Sequence, residues 1–422
     1  MKIKLTSFIK FFITTSFFKL VSRLLVLFSF SLLARSLSIE SFGSISFEWV
    51  VQNSLAALLV LGGNIAVIKK LYEESIIYSF FTTIISGIII IAIYKLVNSL
   101  IFGSNLNFSL LIIFNSISIS LIRIISAQYR LAKRIKECEF FEQFLINFLF
   151  LTSILIGLWD NHSFGKIFFL ITNTTLFLYL IHYLTIFNLS FRKVSIKRLL
   201  ENLMFSIKAF SNSFGNYINF NVTRLCSKIL VSSSFVAMIQ PAFQLAVSLN
   251  AISNSLKLTS LSFMQKAEFK SISYINSVNK LISIQLFGSL ILMLFSNLLV
   301  TTIYGNKYDE YSIYLNILLI GQLASVINGP SSTIMIINKY ENFINKVSLV
   351  SITINILGNI IALIYHDLFL AVFFTSVSIF AMNFIPFFYF RKNLSFKLHS
   401  KFNIYTFIFM TFLNLFLIFF VK

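Results

Sequence analysis

The chain has 422 residues, of which 57% are hydrophobic and only 11% are charged, and its formal net charge is +20. A soluble domain carries about 25% charged residues because its surface must face water. The composition therefore excludes a soluble fold, and the high hydrophobicity excludes a disordered chain. The sequence predicts an all-α polytopic membrane protein.

Apolar runs of roughly 20 residues, the length at which a helix crosses a bilayer, recur along the whole chain. They predict 12–13 transmembrane helices, of which the last follows the others without a partner helix. The predicted segments are 11–33, 48–67, 76–96, 107–126, 142–159, 164–188, 203–223, 231–256, 281–304, 311–337, 347–365, 368–390 and 402–421.

The segments between these helices alternate in charge. One set is strongly basic and includes 2–10, 69–70, 130–136 and 192–198, whereas the other set carries few cations, among them Arg35, Arg224, Lys228 and Lys307. Because basic loops stay on the cytoplasmic side, we expect a cytoplasmic N-terminus. The net charge then reflects topology and attraction to membrane lipids, and no nucleic-acid partner is expected.

Five cations fall within the predicted helices, where a charge costs about 2.5 to 3.5 kcal/mol on insertion scales. They are Lys19, Arg23, Arg123, Lys208 and Lys257. Arg123 and Lys257 lie near predicted cytoplasmic helix ends, where a long side chain can also reach the lipid headgroups. A cavity lined by such cations and poor in acids would favour an anionic substrate such as a phosphate or pyrophosphate.

Two further residues are candidates for ion coupling, and four are candidates for a hinge or gate. Glu48 could be a coupling carboxylate or an interfacial residue, and His182 could titrate near neutral pH or be a satisfied interior histidine. Pro241, Gly329-Pro330 and Pro386 lie inside predicted helices, where a proline removes a backbone hydrogen bond. Such positions mark gates in some transporters, although neighbouring helices can also compensate for the lost bond.

Motifs for catalysis, nucleotide binding and metal binding are absent from the sequence. Cys138 and Cys226 lie far apart and predict neither a disulfide nor a metal site. The three aspartates all fall in predicted outward loops. Few carboxylates are therefore available for catalysis by a pair of carboxylates. We therefore expect a transporter that uses no cofactor, and not an enzyme.

Two stretches have a more specific pattern. The first begins at Leu32 and the second runs from Phe287 to about Arg391. The first resembles the opening helical hairpin of polysaccharide-exporter flippases through Ala34, Arg35, Leu37, Glu40, Phe42, Gly43, Leu61 and Gly62. The second fits their Y-G-x-x-(F/Y) turn and the Asn-rich helix that follows, through Tyr304, Gly305, Tyr308, Lys339, Asn355 and Asn359.

The chain thus resembles the O-antigen and capsule repeat-unit flippases (Wzx type) of the multidrug/oligosaccharidyl-lipid/polysaccharide exporter superfamily. The resemblance implies two pseudo-symmetric six-helix lobes, at 1–200 and 201–392, around a central cavity, with an additional helix at 393–422. It implies alternating-access flipping of an undecaprenyl-pyrophosphate-linked oligosaccharide for O-antigen or capsule synthesis. The polysaccharide polymerase and the chain-length regulator are candidate partners. Relatives often carry Asp-Arg where this chain has Thr223-Arg224. This difference weakens the case for ion coupling through a carboxylate at that position.

Two other functions remain open at this point. An O-antigen polymerase, a membrane glycosyltransferase, is similarly long and polytopic, but it would carry a large outward loop, which this chain lacks. A drug or ion antiporter of the same superfamily would be expected to have more acidic residues and fewer cations in its cavity.

Overall fold

In the computed structural model every regular element among the described residues is helical. Those residues are 2–60, 62–68, 75–97, 110–132, 134–160, 164–187, 195–249, 251, 255, 272–337, 340–393 and 399–420. The helices of the first half are α1 (Lys2–Ser36), α2 (Ile39–Val60), α3 (Gly63–Ile68), α4 (Ser75–Val97), α5 (Leu110–Leu131), α6 (Ile135–Glu139), a π-helix (Phe140–Leu145), α7 (Ile146–Asp160) and α8 (Phe164–Ile186).

The second half continues with longer elements. They are α9 (Ile196–Leu230), α10 (Ser233–Ser248), α11 (Ile272–Leu294), α12 (Ser296–Tyr304), a 3₁₀ helix (Asn306–Ser312), α13 (Ile313–Ile337), α14 (Glu341–Ile364), α15 (Leu368–Asn393) and α16 (Lys401–Phe420). Each of the thirteen predicted segments overlaps one or more of these helices within the described residues, and the all-helical prediction is confirmed.

Ten helical segments among the described residues are long and apolar enough to cross a membrane. They do not include α2, α9 and α10, so a total of 12–13 spans stays a prediction. The helix that contains the start of the second predicted segment begins earlier, since α2 starts at Ile39, and the point at which it would enter the membrane stays a prediction. The Ser38 hydroxyl accepts a hydrogen bond from the Ser41 backbone N–H at 3.2 Å, which caps the helix start.

The chain divides into two compact units, one formed by residues 48–217 and the other by residues 1–47 together with 218–422. In the first unit α5 packs against α3, α4 and α8. Two serine hydroxyls of α5 bond this helix closely to α2. Ser116 donates to the Gln52 carbonyl at 3.0 Å, and Ser120 donates to the Ala56 carbonyl at 2.9 Å. The lobe boundaries at residues 200 and 392 stay predictions.

In the second unit α13 occupies the centre and packs against α10, α11, α15 and α16. The expectation that the last helix lacks a partner is therefore wrong. Its Asn403 amide donates to the carbonyl of Asn279 on α11 at 3.0 Å, and its Asn414 amide donates to the carbonyl of Asn316 on α13 at 2.7 Å. Asparagines thus fix α16 to both helices.

Candidate functional site

The first helix has an exposed face that is apolar and a buried face that also carries several polar residues. An exposed stripe of large apolar side chains runs along one face, formed by Ile13, Phe17, Leu20, Leu24 and Phe28. The spacing of three or four residues between them is that of one helix face. These are the side chains that would meet lipid.

The opposite face of α1 carries the predicted cation Lys19. The Lys19 side chain is only 8% exposed and lies between the buried Thr15 and Ser22, while Arg23 is partly buried beside this face. A charge in a membrane helix is tolerated when it faces the protein interior or water. Lys19 therefore points into the protein, and its place in a substrate cavity stays a prediction.

The other predicted cations are distributed over the rest of the chain. Arg123 is partly buried on α5. Lys208 lies on α9, and its side chain is outside the described residues, as is the whole of Lys257. The structure therefore describes the side chains of Lys19, Arg23 and Arg123, and the prediction that these cations line one cavity stays a prediction.

The two coupling candidates have different surroundings. Glu48 is exposed and lies in the middle of α2. His182 on α8 is hydrogen-bonded through Nδ1 to the Tyr129 hydroxyl at 2.6 Å, and its ring stacks at 5.7 Å on the Tyr129 ring. This histidine therefore has a defined partner on α5, and the structure does not bring it to Glu48.

A buried ion cluster next to Tyr129 is absent from the sequence predictions, which place Arg130 in a basic loop. Arg130 lies at the end of α5 and is 6% exposed. Its Nη2 atom contacts Glu139 Oε1 at 3.2 Å and Glu142 Oε2 at 2.8 Å. Glu139 is 1% exposed, and its second oxygen has no hydrogen-bond partner among the residues that the structure describes. No motif marks the cluster, because α6 and the π-helix must first fold back on α5.

The predicted hinge residues all lie within continuous helices. Pro241 is buried in the middle of α10, and Pro386 lies within α15. Gly329 and Pro330 lie within α13, which runs unbroken from Ile313 to Ile337. Their role as a hinge or gate stays a prediction.

Arg224 on α9 lies next to the proline of α10. Its side chain is buried and donates through Nη1 to Gln240 Oε1 at 3.0 Å and through Nη2 to Asn221 Oδ1. Its guanidinium also lies 4.6 Å from the centre of the Phe243 ring. Amide groups and an aromatic ring are thus among the contacts of this cation.

The Asn-rich helix of the resemblance belongs to a buried polar network. Asn355 and Asn359 on α14 bond to each other and to Thr375 on α15, with distances from 2.6 to 3.1 Å. On the other side, Asn355 donates to Asn219 on α9, which also accepts from Ser378 at 2.8 Å. The network joins three helices with neutral groups.

Metal ligands do not gather anywhere in the described part of the chain. Within it, no three His, Cys, Asp or Glu side chains are arranged to hold a metal ion. The candidate site therefore consists of cations, amides and hydroxyls, which can bind anionic and hydroxyl-rich ligands by hydrogen bonding.

Comparison with solved structures gives full-length matches. A MATE transporter in the straight conformation matches with a TM-score of 0.63 and 14% identity, over 92% of this chain and 95% of its own. An outward-facing multidrug resistance MATE family transporter of the MOP superfamily matches with a TM-score of 0.61 and 11% identity, over 91% and 95%. The chain has the MATE transporter fold.

A third match with the MATE fold is a MOP superfamily transporter from Pyrococcus furiosus, whose binding pocket is described as reversed in polarity. It has a TM-score of 0.63 and 13% identity, over 91% of this chain and 95% of its own. No family model and no curated protein matches the sequence. The MATE fold agrees with the exporter superfamily that the sequence resembles and with a multi-pass membrane protein.

Proposed function

We propose that this chain is a flippase for undecaprenyl-pyrophosphate-linked oligosaccharides, moving them from the cytoplasmic to the outer leaflet of a bacterial inner membrane. The observation that carries the proposal is the position of Lys19. It is a cation on the protein-facing side of a membrane helix, in a chain with the MATE fold. In this function the repeat unit serves O-antigen or capsule synthesis.

The pyrophosphate supplies the anion for which a buried cation is suited. A phosphate oxygen accepts charge-assisted hydrogen bonds from an ammonium or guanidinium group, which are about twice as strong as neutral ones. Lys19 and Arg23 are four residues apart, so they lie on adjacent parts of one helix face. An anionic headgroup between them would reduce the repulsion between two like charges.

The sugars and the lipid place different demands on the protein. Sugar hydroxyls need amide and hydroxyl partners, and α1 offers buried Thr15 and Ser22 beside Lys19. The undecaprenyl tail can stay in the bilayer during transfer, so no covalent bond needs to be made or broken. Lipids are therefore partners of the protein, and the polymerase that receives the product is a candidate partner.

The decisive measurement is the leaflet in which lipid-linked repeat units accumulate when the gene is deleted. We expect loss of long surface polysaccharide, with the repeat units held on the cytoplasmic side. Accumulation of unpolymerised units on the outer side would contradict flipping and would favour a polymerase. Unchanged surface polysaccharide would contradict both functions.

Substitutions at the α1 cations then test the site in the complemented strain. Lys19→Gln and Arg23→Gln should each lower surface polysaccharide about tenfold or more, the loss expected for a charge-assisted contact to a phosphate, at an unchanged protein level. Lys346→Gln is the matched control, because Lys346 is exposed on α14. Normal polysaccharide in both α1 variants would contradict the role of these cations.

Drug export is a second candidate, because one matching structure is a multidrug resistance MATE transporter. It predicts that deletion of the gene raises sensitivity to cationic drugs and leaves surface polysaccharide intact. The two phenotypes are measured in the same strain and separate the two functions.

A further inference from the structure

The two stretches that carry the sequence resemblance contact each other, although about 270 residues separate them. The end of α1 and the start of α2 pack against α12 and the 3₁₀ helix. Phe42 of the first stretch and Tyr308 of the second have ring centres 5.7 Å apart. All these residues belong to the same compact unit.

At this contact each segment supplies a cation to the other segment's helix end. Arg35 donates through Nε to the Ile303 carbonyl at 3.1 Å and through Nη2 to the Thr302 carbonyl, both in the last turn of α12. In return, Lys307 donates through Nζ to the Leu37 carbonyl, just beyond the end of α1, at 2.8 Å. The capping is therefore reciprocal.

Reciprocal capping solves an electrostatic problem. The last carbonyls of a helix have no partner within it, and they give that end a negative partial charge. Placing the ends of α1 and α12 side by side therefore creates repulsion as well as unpaired acceptors. Arg35 and Lys307 relieve both, and the Ser31 hydroxyl donates a second bond to the Ile303 carbonyl.

Beneath the two caps the backbones approach closely. Gly43 of α2 lies directly over the start of α10, where an added Cβ would collide with the Ser233 carbonyl and lie 3.3 Å from Ala237 Cβ. A glycine is therefore required at position 43 for this closed arrangement, and α2 covers Ala237, which is fully buried.

Two features of the contact favour opening. Arg35 and Lys307 are exposed, and water weakens hydrogen bonds of exposed charges. The hydroxyls of Tyr304 and Tyr308 are buried without a hydrogen-bond partner in the part of the chain described here, and burial of an unpaired hydroxyl is unfavourable. Separation of the segments would hydrate both hydroxyls.

We propose that these segments form a latch, defined by Ser31, Arg35 and Leu37 on one side and Thr302, Ile303 and Lys307 on the other. The latch closes one end of the transporter and opens during each transport cycle. This inference rests on the proposed transport function but not on the identity of the substrate. Arg35 and Lys307 both belong to the predicted outward set, so the latch lies at the outward end.

Thiol labelling of a residue under the latch tests the proposal. Ala237→Cys is introduced into the full chain carrying Cys138→Ser and Cys226→Ser, and intact cells are treated with a membrane-impermeant maleimide. We expect slow but measurable labelling, because the latch opens from time to time. Arg35→Gln and Lys307→Gln should each raise the labelling rate about fivefold, the effect of weakening one capped helix end.

Two controls separate a latch from general damage. Lys392→Gln removes an exposed cation from the last turn of α15, away from the latch, and should leave labelling unchanged. Gly43→Ala should raise labelling, whereas Gly288→Ala should not, because an added Cβ at Gly288 meets no atom nearer than 3.7 Å.

Three results would overturn the latch. The first is that no variant is labelled. The second is that the Lys307→Gln and Lys392→Gln variants are labelled at equal rates. The third is that labelling is faster in every variant and the melting temperature falls equally in all of them. Because labelling needs no glycolipid, loss of the flippase assignment would leave this result intact. Failure of the latch would likewise leave the polysaccharide phenotype of the deletion strain unchanged.

Discussion

The Asn355 side chain donates to both oxygens of Asn219, at 2.8 Å to the backbone carbonyl and 2.9 Å to the side-chain carbonyl. One amide group thus ties α14 to α9 at a place where neither residue is exposed. In a low-dielectric interior such a network stabilises the fold only while every member keeps its partners.

Replacement of Asn355 should therefore destabilise the protein. Asn355→Leu removes the donor to Asn219 and the acceptor for Thr375, and we expect a loss of about 3 kcal/mol in the free energy of unfolding. The melting temperature of the detergent-solubilised protein reports it. Asn342→Leu, at an exposed position of the same helix, is the control, and an equal effect of both variants would contradict the importance of the network.

The Arg130 cluster predicts a different pattern of losses. Arg130→Met leaves Glu139 and Glu142 buried without a counter-charge, which should reduce stability by about 3 to 5 kcal/mol. Arg134→Gln breaks the 3.1 Å pair with Glu137, which is about one-third exposed, and should cost less than about 1 kcal/mol. Thermal melting of both variants checks the difference.

Adding Glu139→Met to Arg130→Met should restore part of the stability lost, because an apolar pair can replace a buried ion pair. A double variant that melts no higher than Arg130→Met alone would contradict this account of the cluster.

His399 predicts a dependence of stability on pH. This residue precedes α16, and its Nε2–H donates to the Ile327 carbonyl at 2.9 Å. The pKa of His399 is lowered to about 4, mainly by burial and in smaller part by the charge of Arg391, while the bond to Ile327 opposes the shift. Between that value and the ordinary pKa of about 6.5, the unfolded chain binds the proton more readily than the folded chain.

The stabilisation by neutral His399 is therefore complete above about pH 6.5 and is lost as the pH falls toward 4. Melting curves at pH 7.5 and pH 5 should show a smaller decrease for His399→Gln than for the wild type. Equal decreases in the two proteins would contradict a buried neutral histidine.

Gly321 marks the closest approach of α13 and α15. A Cβ added there would lie 2.8 Å from the Ser376 carbonyl and 2.9 Å from Ile379 Cβ, so Gly321→Ala must push the two helices apart. We expect a loss of about 2 kcal/mol, within the range for overpacking a core. Gly288→Ala should instead be neutral or stabilising by up to about 1 kcal/mol, as for a helical glycine with free space, and melting temperatures compare the two.

The sequence predicted the helical segments well and their partners poorly. Long apolar runs identify membrane helices because the bilayer fixes their length. A polar stretch such as that around Asn219 is a weak helix signal, yet it is part of the 35-residue α9, where Asn219 accepts hydrogen bonds from Asn355 and Ser378.

Charge patterns in the sequence identify candidate functional cations, but they do not identify the residues that contact those cations. The sequence makes Lys19 a candidate cavity cation; its side chain is buried on α1, and its place in a substrate cavity stays a prediction. Arg130, in contrast, was assigned to a loop because basic residues surround it, and only the fold shows the carboxylates that bury it. The contact of Arg35 with the end of α12 likewise depends on a chain reversal that no local pattern specifies.

The additional helix α16 also changes what its neighbour can tolerate. It presents Phe402, Phe409, Phe412 and Phe416 outward, while Asn414 bonds to α13 at Asn316. This helix therefore covers part of α13 and presents its own phenyl rings to the outside. A homologous chain that ended at α15 would leave this part of α13 without a covering helix, so we expect more apolar residues on α13 in such a chain.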